Sequence, residues 1–377
     1  MKTIAINCLG VDGGGGKTYF EHFLPALENI SKDFRYFVFI RESLLGSIPV
    51  AGENVTYIPV SLPPGTLNRF LKEQLWIPNW LKKNKIDLLF SPADSTALLS
   101  PCPVVLAMRN LNLYVERDKG WSLPFQMKFH ALSLFARFSS SIARRIIFVS
   151  DTSRKIISNR LKIPEEKQRV IYHGLSPRFL EPSTFPAGEF QVFTEKTPYI
   201  LTVSSIYRYK NFIRLIESFA KARSKVSRDY HLVIAGKPYD IPYYRQMNES
   251  IAAHNLESRI HLLGEVSYSV LPALYRQARL FAFPSYLETF GHPLVEAMAS
   301  GVPIIAADIE NSREITGNSA LFFPPKNTEI LSEQLISGLE NESLRMKLIE
   351  KGLERVKTFS WKRCAEETLS VFQEALS

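Results

Sequence analysis

The stretch PSYLETFGHPLVEAMASGVP, residues 284–303, decides how this chain is read. The apolar run 280–283 ahead of it has the look of a buried strand that stops at Pro284. Pro293 suits a first helical turn, and Gly301 suits the left-handed residue that closes a helix. The next strand is expected at once, over 302–307. The unit is therefore strand, loop, helix, strand, and its loop opens at a helix N-terminus. Free amides there, with the positive end of the helix dipole, favour an anion such as a diphosphate. Glu288 on the loop and Glu296 in the helix flank that position. Carboxylates do not hold phosphate, but they accept hydrogen bonds from sugar hydroxyls. A phosphate cradle flanked by two such groups describes a nucleotide-sugar site, against the plainer alternative of two surface carboxylates on an ordinary helix.

A chain of 377 residues is too long for one ordinary core, so two domains are expected. The three cysteines, Cys8, Cys102 and Cys364, are odd in number, far apart and without a C-x-x-C pair. They argue against a disulfide framework or a zinc site and for a reducing, cytoplasmic compartment. The first nine residues read as a strand feeding a glycine run rather than as a signal peptide. No stretch is long and apolar enough to cross a bilayer. Charge is divided unequally: residues 1–180 hold 24 Lys+Arg against 14 Asp+Glu, and residues 181–377 hold 22 against 23. The excess of positive charge in the first half points to an anionic partner. No basic-aromatic motif, zinc finger or helix-turn-helix pattern supports nucleic acid. An anionic membrane surface or a lipid-linked acceptor is the better match.

Short apolar runs alternate with amphipathic stretches along both halves. In the first, strands are expected at 3–8, 36–40, 55–58, 87–90, 104–108, 146–149 and 169–172, with helices at 19–30, 67–83 and 153–161. In the second, strands are expected at 199–204, 231–235, 260–263 and 280–283, with a helix from about Asn211. The fold class is thus α/β: two Rossmann-like parallel-sheet domains facing across a cleft. Domain 1–180 is followed by a proline-rich linker, 181–198, and by domain 199–358.

Residues 284–303 closely resemble the E-x7-E motif of retaining glycosyltransferases of family 4, which have the GT-B architecture. The resemblance implies that Glu288 lies by the donor sugar and that Glu296 holds the ribose hydroxyls. It also implies that the backbone amides at Thr289, Phe290 and Gly291, with Leu294, help hold the donor. The segment Ser204-Ser205-Ile206-Tyr207-Arg208-Tyr209-Lys210-Asn211 is similar to the family's diphosphate clamp. Lys210 matches the clamp lysine. The arginine often found at the position of Ser205 is missing, and Arg208 is the nearby replacement. The glycine run Gly13, Gly14, Gly15, Gly16 before Lys17 fails Walker A spacing, since glycine would be needed at Val11. It is similar instead to the family's first loop, near the diphosphate and acceptor.

Arg109-Asn110 stands where many relatives carry a histidine-aspartate pair, so the resemblance gives no catalytic histidine there. His173, in Tyr172-His173-Gly174, resembles the turn before the interdomain linker and is a further candidate. His292 is read as structural, Glu314 as fixing a loop, and Asp308 as either near the base or a plain strand-end carboxylate. The final segment 359–377 resembles the family helix that crosses back to the N-terminal, acceptor-binding domain.

What the family implies is transfer with retention, from a nucleoside-diphosphate sugar to a glycan or lipid-linked acceptor, in cell-surface polysaccharide or glycolipid assembly. No cofactor or obligatory metal is implied, and no D-x-D sequence is present. A sugar-nucleotide epimerase or phosphorylase of the same shape, or a non-catalytic nucleotide-sugar-binding protein, remain the alternatives. The amphipathic segment 121–145, with Arg137, Arg144 and Arg145 beside its apolar residues, is read either as a peripheral membrane surface or as a core helix with a solvated face.

Overall fold

The computed structural model describes residues 1–11, 14–47, 52–63, 66–115, 123–181 and 197–377. Gly13, most of the linker expected at 181–198, and the first two residues of segment 121–145 lie outside them.

The chain forms two compact units, one made of Met1–Gly174 with Ser360–Ser377 and the other of Leu175–Phe359. In the first, strands β1 (Lys2–Asn7), β2 (Phe34–Arg41), β3 (Val55–Val60), β4 (Leu88–Ser91), β5 (Val104–Met108), β6 (Arg145–Phe148) and β7 (Gln168–Val170) make a parallel sheet ordered β3-β2-β1-β4-β5-β6-β7. In the second, β8 (Tyr199–Val203), β9 (His231–Ala235), β10 (Ile260–Gly264), β11 (Leu280–Phe283), β12 (Ile304–Ala307) and β13 (Ala320–Phe323) are ordered β10-β9-β8-β11-β12-β13, again parallel. Both are the doubly wound, Rossmann-like sheets expected from the alternation of elements.

Period-two alternation explains how each sheet is covered. Ile4 and Ile6 of β1 join one core with Phe23 of helix Gly14–Ile30 and Phe372 of helix Trp361–Leu376. Ala5, between them, faces a second core with Ile77 and Leu81. The second unit packs Leu215, Ile216 and Phe219 of helix Phe212–Ala222 against Ile200, Leu232 and Ile234. Here helical spacing supplies a single apolar stripe.

Four expectations are corrected. Gly14, Gly15 and Gly16 are not loop but the first turn of helix Gly14–Ile30, where their amides have no intrahelical acceptor to satisfy. The helix expected over 67–83 is interrupted by a π-turn, Lys72–Trp76, in which the Ile77 amide donates to the Lys72 carbonyl. Pro78 follows directly and has no N–H to continue the α-pattern. Strand β12 begins at Ile304 rather than at residue 302, because the Val302 amide turns back to the Ala297 carbonyl and Pro303 has none to donate. Strand β7 ends at Val170, before Tyr172.

In each sheet the winding reverses once, between β1 and β4 and between β8 and β11. In open parallel sheets such a reversal, at the carboxyl ends of the strands, is where ligands generally bind.

Candidate active site

The loops after β8 and β11 meet at the reversal of the second sheet. The Tyr286 amide donates to the Tyr209 carbonyl at 3.0 Å, and Ser285 Oγ reaches the same carbonyl at 3.4 Å. Asn211 braces the pair. It sits at φ +61°, a left-handed conformation that asparagine tolerates better than most residues. Its side-chain amide donates to the Pro284 carbonyl at 3.2 Å and the Pro325 carbonyl at 2.8 Å. Gly236, at the end of β9, leaves room for the neighbouring loop, since a Cβ there would stand 1.8 Å from the Ser204 carbonyl oxygen.

On this frame the ammonium of Lys210 pairs with the carboxylate of Glu288. Each side chain keeps 12% of its exposure, so the pair is largely withdrawn from water while still reachable. Ser205 lies on the same loop, half-buried. Arg208 is not part of the pair: its guanidinium lies 5.5 Å from the ring centre of Tyr243.

Gly291, at φ +88°, turns the chain into helix His292–Ala299. Phe290 and Leu294 are interior, with Phe290 packed edge-on against His292 and Phe359 and the Leu294 amide donating to the Gly291 carbonyl at 3.0 Å, so both residues hold the turn. The Thr289 carbonyl accepts from Asn311 Nδ2 at 3.2 Å. Asp308, at the end of β12, is paired with Arg313.

Glu296, one helical turn and more beyond Gly291, is buried. Tyr275 Oη donates to its Oε2 at 3.0 Å and Tyr268 Oη to its Oε1 at 3.3 Å. Burial pushes the Glu296 carboxyl up to about 7, against the pull of the two tyrosine hydroxyls. Sequence reasoning missed both tyrosines. Tyr275 falls in an apolar helix, Leu271–Gln277, and nothing local marks it as a partner of a residue 21 positions later.

The first unit holds the remaining candidates, at the ends of β1, β5 and beyond β7. The backbone amides of Arg109 and Asn110 both donate to Asp94 Oδ1 at 3.3 Å. The Arg109 guanidinium lies 4.0 Å from the Tyr19 ring centre, and Asn110 Oδ1 caps the short turn Leu111–Leu113. Asp94 is the organiser, missed because it stands alone in sequence; burial raises its carboxyl to about 6. His173 is buried and stacked on Trp361, in the core beneath helix Trp361–Leu376 rather than on a surface.

Residues 188–355 match the family described as glycosyl transferases group 1, and residues 13–179 match glycosyltransferase family 4. O-antigen chain mannosyltransferase B of Escherichia coli is 25% identical over 311 residues, covering 74% of this chain and 79% of that protein. O-antigen chain mannosyltransferase RfbU of Salmonella typhimurium is 30% identical over 189 residues, half of this chain and 49% of its own length. Among solved structures, Anabaena HepE in complex with UDP and glucose superposes with a TM-score of 0.76 at 16% identity, covering 99% of this chain and all of that one. WaaG, a glycosyltransferase involved in lipopolysaccharide biosynthesis, gives 0.75 at 16% identity over 98% of this chain and 99% of its own.

Proposed function

We propose that this chain, a glycosyltransferase of GT-B type built from a family 4-like and a group 1-like half, is a retaining, metal-independent enzyme of family 4. It moves a sugar from a nucleoside-diphosphate donor to a glycan or lipid-linked acceptor in the assembly of a cell-surface polysaccharide or lipopolysaccharide. The observation that carries this reading is the Lys210–Glu288 pair at the strand-order reversal, with Glu296 following in the adjoining helix.

In the reaction, the bond from the sugar C1 to the diphosphate oxygen breaks and a bond from the acceptor oxygen to C1 forms on the same face. Lys210 stabilises the charge gathering on the departing diphosphate. Glu288 accepts hydrogen bonds from the donor sugar, sharing or giving up its contact with Lys210. Glu296 accepts the ribose hydroxyls while Tyr275 and Tyr268 hold its carboxylate in place. The departing phosphate oxygen takes the acceptor proton, so the protein supplies orientation and charge rather than a dedicated base. The similarity to two O-antigen mannosyltransferases makes a mannosyl donor the first to test.

The first unit is read as the acceptor-binding half, acting at the cytoplasmic face of a membrane. Helix Leu123–Ile142 supports peripheral contact, because Met127, Leu134, Phe138 and Ile142 are exposed along it and Arg137 and Arg144 lie nearby. No helix among the described residues is long and apolar enough to cross a membrane.

Calorimetric titration with UDP, GDP, ADP and CMP, in the presence of a chelator, tests the donor half of this reading. Binding of one diphosphate that is lost in Glu296→Ala is the expected result. Absence of binding to all four by a folded protein would overturn the donor-site assignment.

A further inference from the structure

Besides Glu288, the ammonium of Lys210 has a neighbour that carries no charge. It lies 5.2 Å from the ring centre of Tyr209, within the range of a cation–π contact. Tyr209 is held at its backbone, where its carbonyl accepts the Tyr286 amide from the loop that bears Glu288. Its ring is held as well, stacked on Tyr207 with centres 5.4 Å apart and planes 12° apart. Tyr207 stacks in turn on Tyr239, 5.5 Å away and 3° from parallel. That third ring belongs to the loop after β9, which is laced to the loop after β8. The Ile206 amide donates to the Lys237 carbonyl at 2.8 Å, and the Tyr239 amide donates to the Ile206 carbonyl at 3.2 Å. Three tyrosines from two loops thus form a ladder, running from the exposed ring of Tyr239 to the clamp lysine.

Every cation of these two loops faces a tyrosine. Lys210 faces Tyr209, Arg208 faces Tyr243, and Lys237 faces Tyr239 at 5.8 Å. The carboxylates of the same region serve other partners: Glu265 pairs with Lys237, and Asp240 caps helix Ile241–Ala253 through the Tyr243 amide. Burial, followed by the neighbouring Tyr209, pushes the Tyr207 hydroxyl up to about 12, so the middle ring of the ladder stays neutral. In the transfer reading Glu288 turns to the donor sugar, which weakens its hold on Lys210. A lysine on its flexible four-carbon stem then needs a second contact to stay aimed. Another carboxylate would supply one but would also neutralise the charge that the diphosphate requires. An aromatic face orients the ammonium and leaves its charge intact.

We propose that Tyr209, stiffened by Tyr207 and Tyr239, is a positioning residue that keeps Lys210 aimed at the donor diphosphate while the sugar engages Glu288. The inference rests on the glycosyl-transfer reading and adds to it the group that holds the clamp lysine. Tyr209 acts through Lys210, so its loss should be felt only where that lysine is present.

Two measurements on the full chain test this, and the first needs no nucleotide. In protein made with isotope-labelled lysine, the ε-methylene signal of Lys210 is assigned by its absence in Lys210→Arg. The Tyr209 ring current should shift it upfield. That shift should persist in Glu288→Gln and in Tyr209→Phe and collapse in Tyr209→Leu. A shift lost in Glu288→Gln, or kept in Tyr209→Leu, overturns the proposal. The second measurement is calorimetric titration with UDP and with GDP. For the one that binds the parent more tightly, affinity should fall about three- to tenfold in Tyr209→Leu, the worth of one cation–π contact. It should stay within about twofold in Tyr209→Phe, which keeps the face. Added to Lys210→Ala, Tyr209→Leu should cause no further loss, since the two residues act as one unit. An equal loss in that background would reduce the ring to a structural part of the loop and overturn the proposal. Failure of both nucleotides to bind the parent would overturn the donor-site reading and this role with it. An intact lysine signal would then distinguish that failure from failure of the contact itself.

Discussion

Tyr275 donates its hydroxyl to Glu296 at 3.0 Å from a helix that ends well before the loop of the donor site. This bond holds a carboxylate whose proton is poised near neutrality, since burial raises it to about 7. Only the ionised form offers both oxygens as acceptors to a ribose. Donor nucleotide affinity should therefore rise with pH through about 7, with a proton released on binding, and Glu296→Gln should bind weakly at every pH. Stability should run the other way. A folded pKa above the unfolded value of about 4.5 favours folding most below 4.5 and loses that contribution as pH rises through about 7. Titration calorimetry in two buffers of different ionisation enthalpy reads the proton, and an identical pH slope in Glu296→Gln would dismiss the assignment.

Lys210→Ala should lower turnover by about 10²- to 10³-fold, the usual cost of removing one charge stabiliser from a reacting centre. Glu288→Gln should also cut turnover, and the double variant should lose less than the product of the two, because the residues are paired. Initial rates with purified, folded variants decide this. Full activity in Lys210→Ala would end the reading of this loop as the diphosphate clamp.

Asn211 offers an inverted ranking of substitutions. Glycine at this left-handed position keeps the backbone and loses the bonds to Pro284 and Pro325, at about 1–2 kcal/mol. Alanine loses the same bonds and adds about 1–2 kcal/mol of left-handed strain. Urea unfolding should thus find Asn211→Ala less stable than Asn211→Gly, and the opposite order would show that the loop relaxes away from this conformation.

Gly174→Ala should be among the costliest small changes in the first unit. The added Cβ would stand 2.2 Å from the Trp361 backbone nitrogen and 2.5 Å from Trp361 Cγ, and backbone cannot swing aside. A loss of about 3 kcal/mol is expected, at the upper end of overpacking effects. Thermal unfolding measures it, and a melting temperature within a degree of the parent would contradict the packing described.

Much of this architecture could be read from short apolar runs punctuated by glycine and proline. Strands β5, β9 and β11 fall where those runs place them, because each is bounded by a residue that cannot continue a ladder or a core. The motif from Pro284 to Pro303 was legible for the same reason, and it named Glu288 and Glu296. What fold-level packing decides was not legible. Tyr268, in the turn before helix Leu271–Gln277, and Tyr275, on that helix, reach Glu296 only because this segment packs against helix His292–Ala299. The placing of Arg208 beside the Tyr243 ring, 5.5 Å from its centre, has no mark in the local sequence. The helical glycines 14–16 contradict their own low propensity, which a first turn tolerates better than a helix interior. The turn Lys72–Trp76 gave no sign of itself, since a π-turn leaves no periodic signature in five residues.

The chain passes between its two units twice, at Gly174–Leu175 and at Phe359–Ser360. During synthesis this imposes an order on folding. The β1–β7 half leaves the ribosome first, yet one apolar face of its sheet, with Phe90 among its residues, waits for Phe372 and the rest of helix Trp361–Leu376 to be made. The half made second can close its own core, from Tyr199 to Phe359, before the half made first has sealed its own. The nascent protein thus carries an unsealed greasy face through most of its translation, a natural substrate for a holding chaperone.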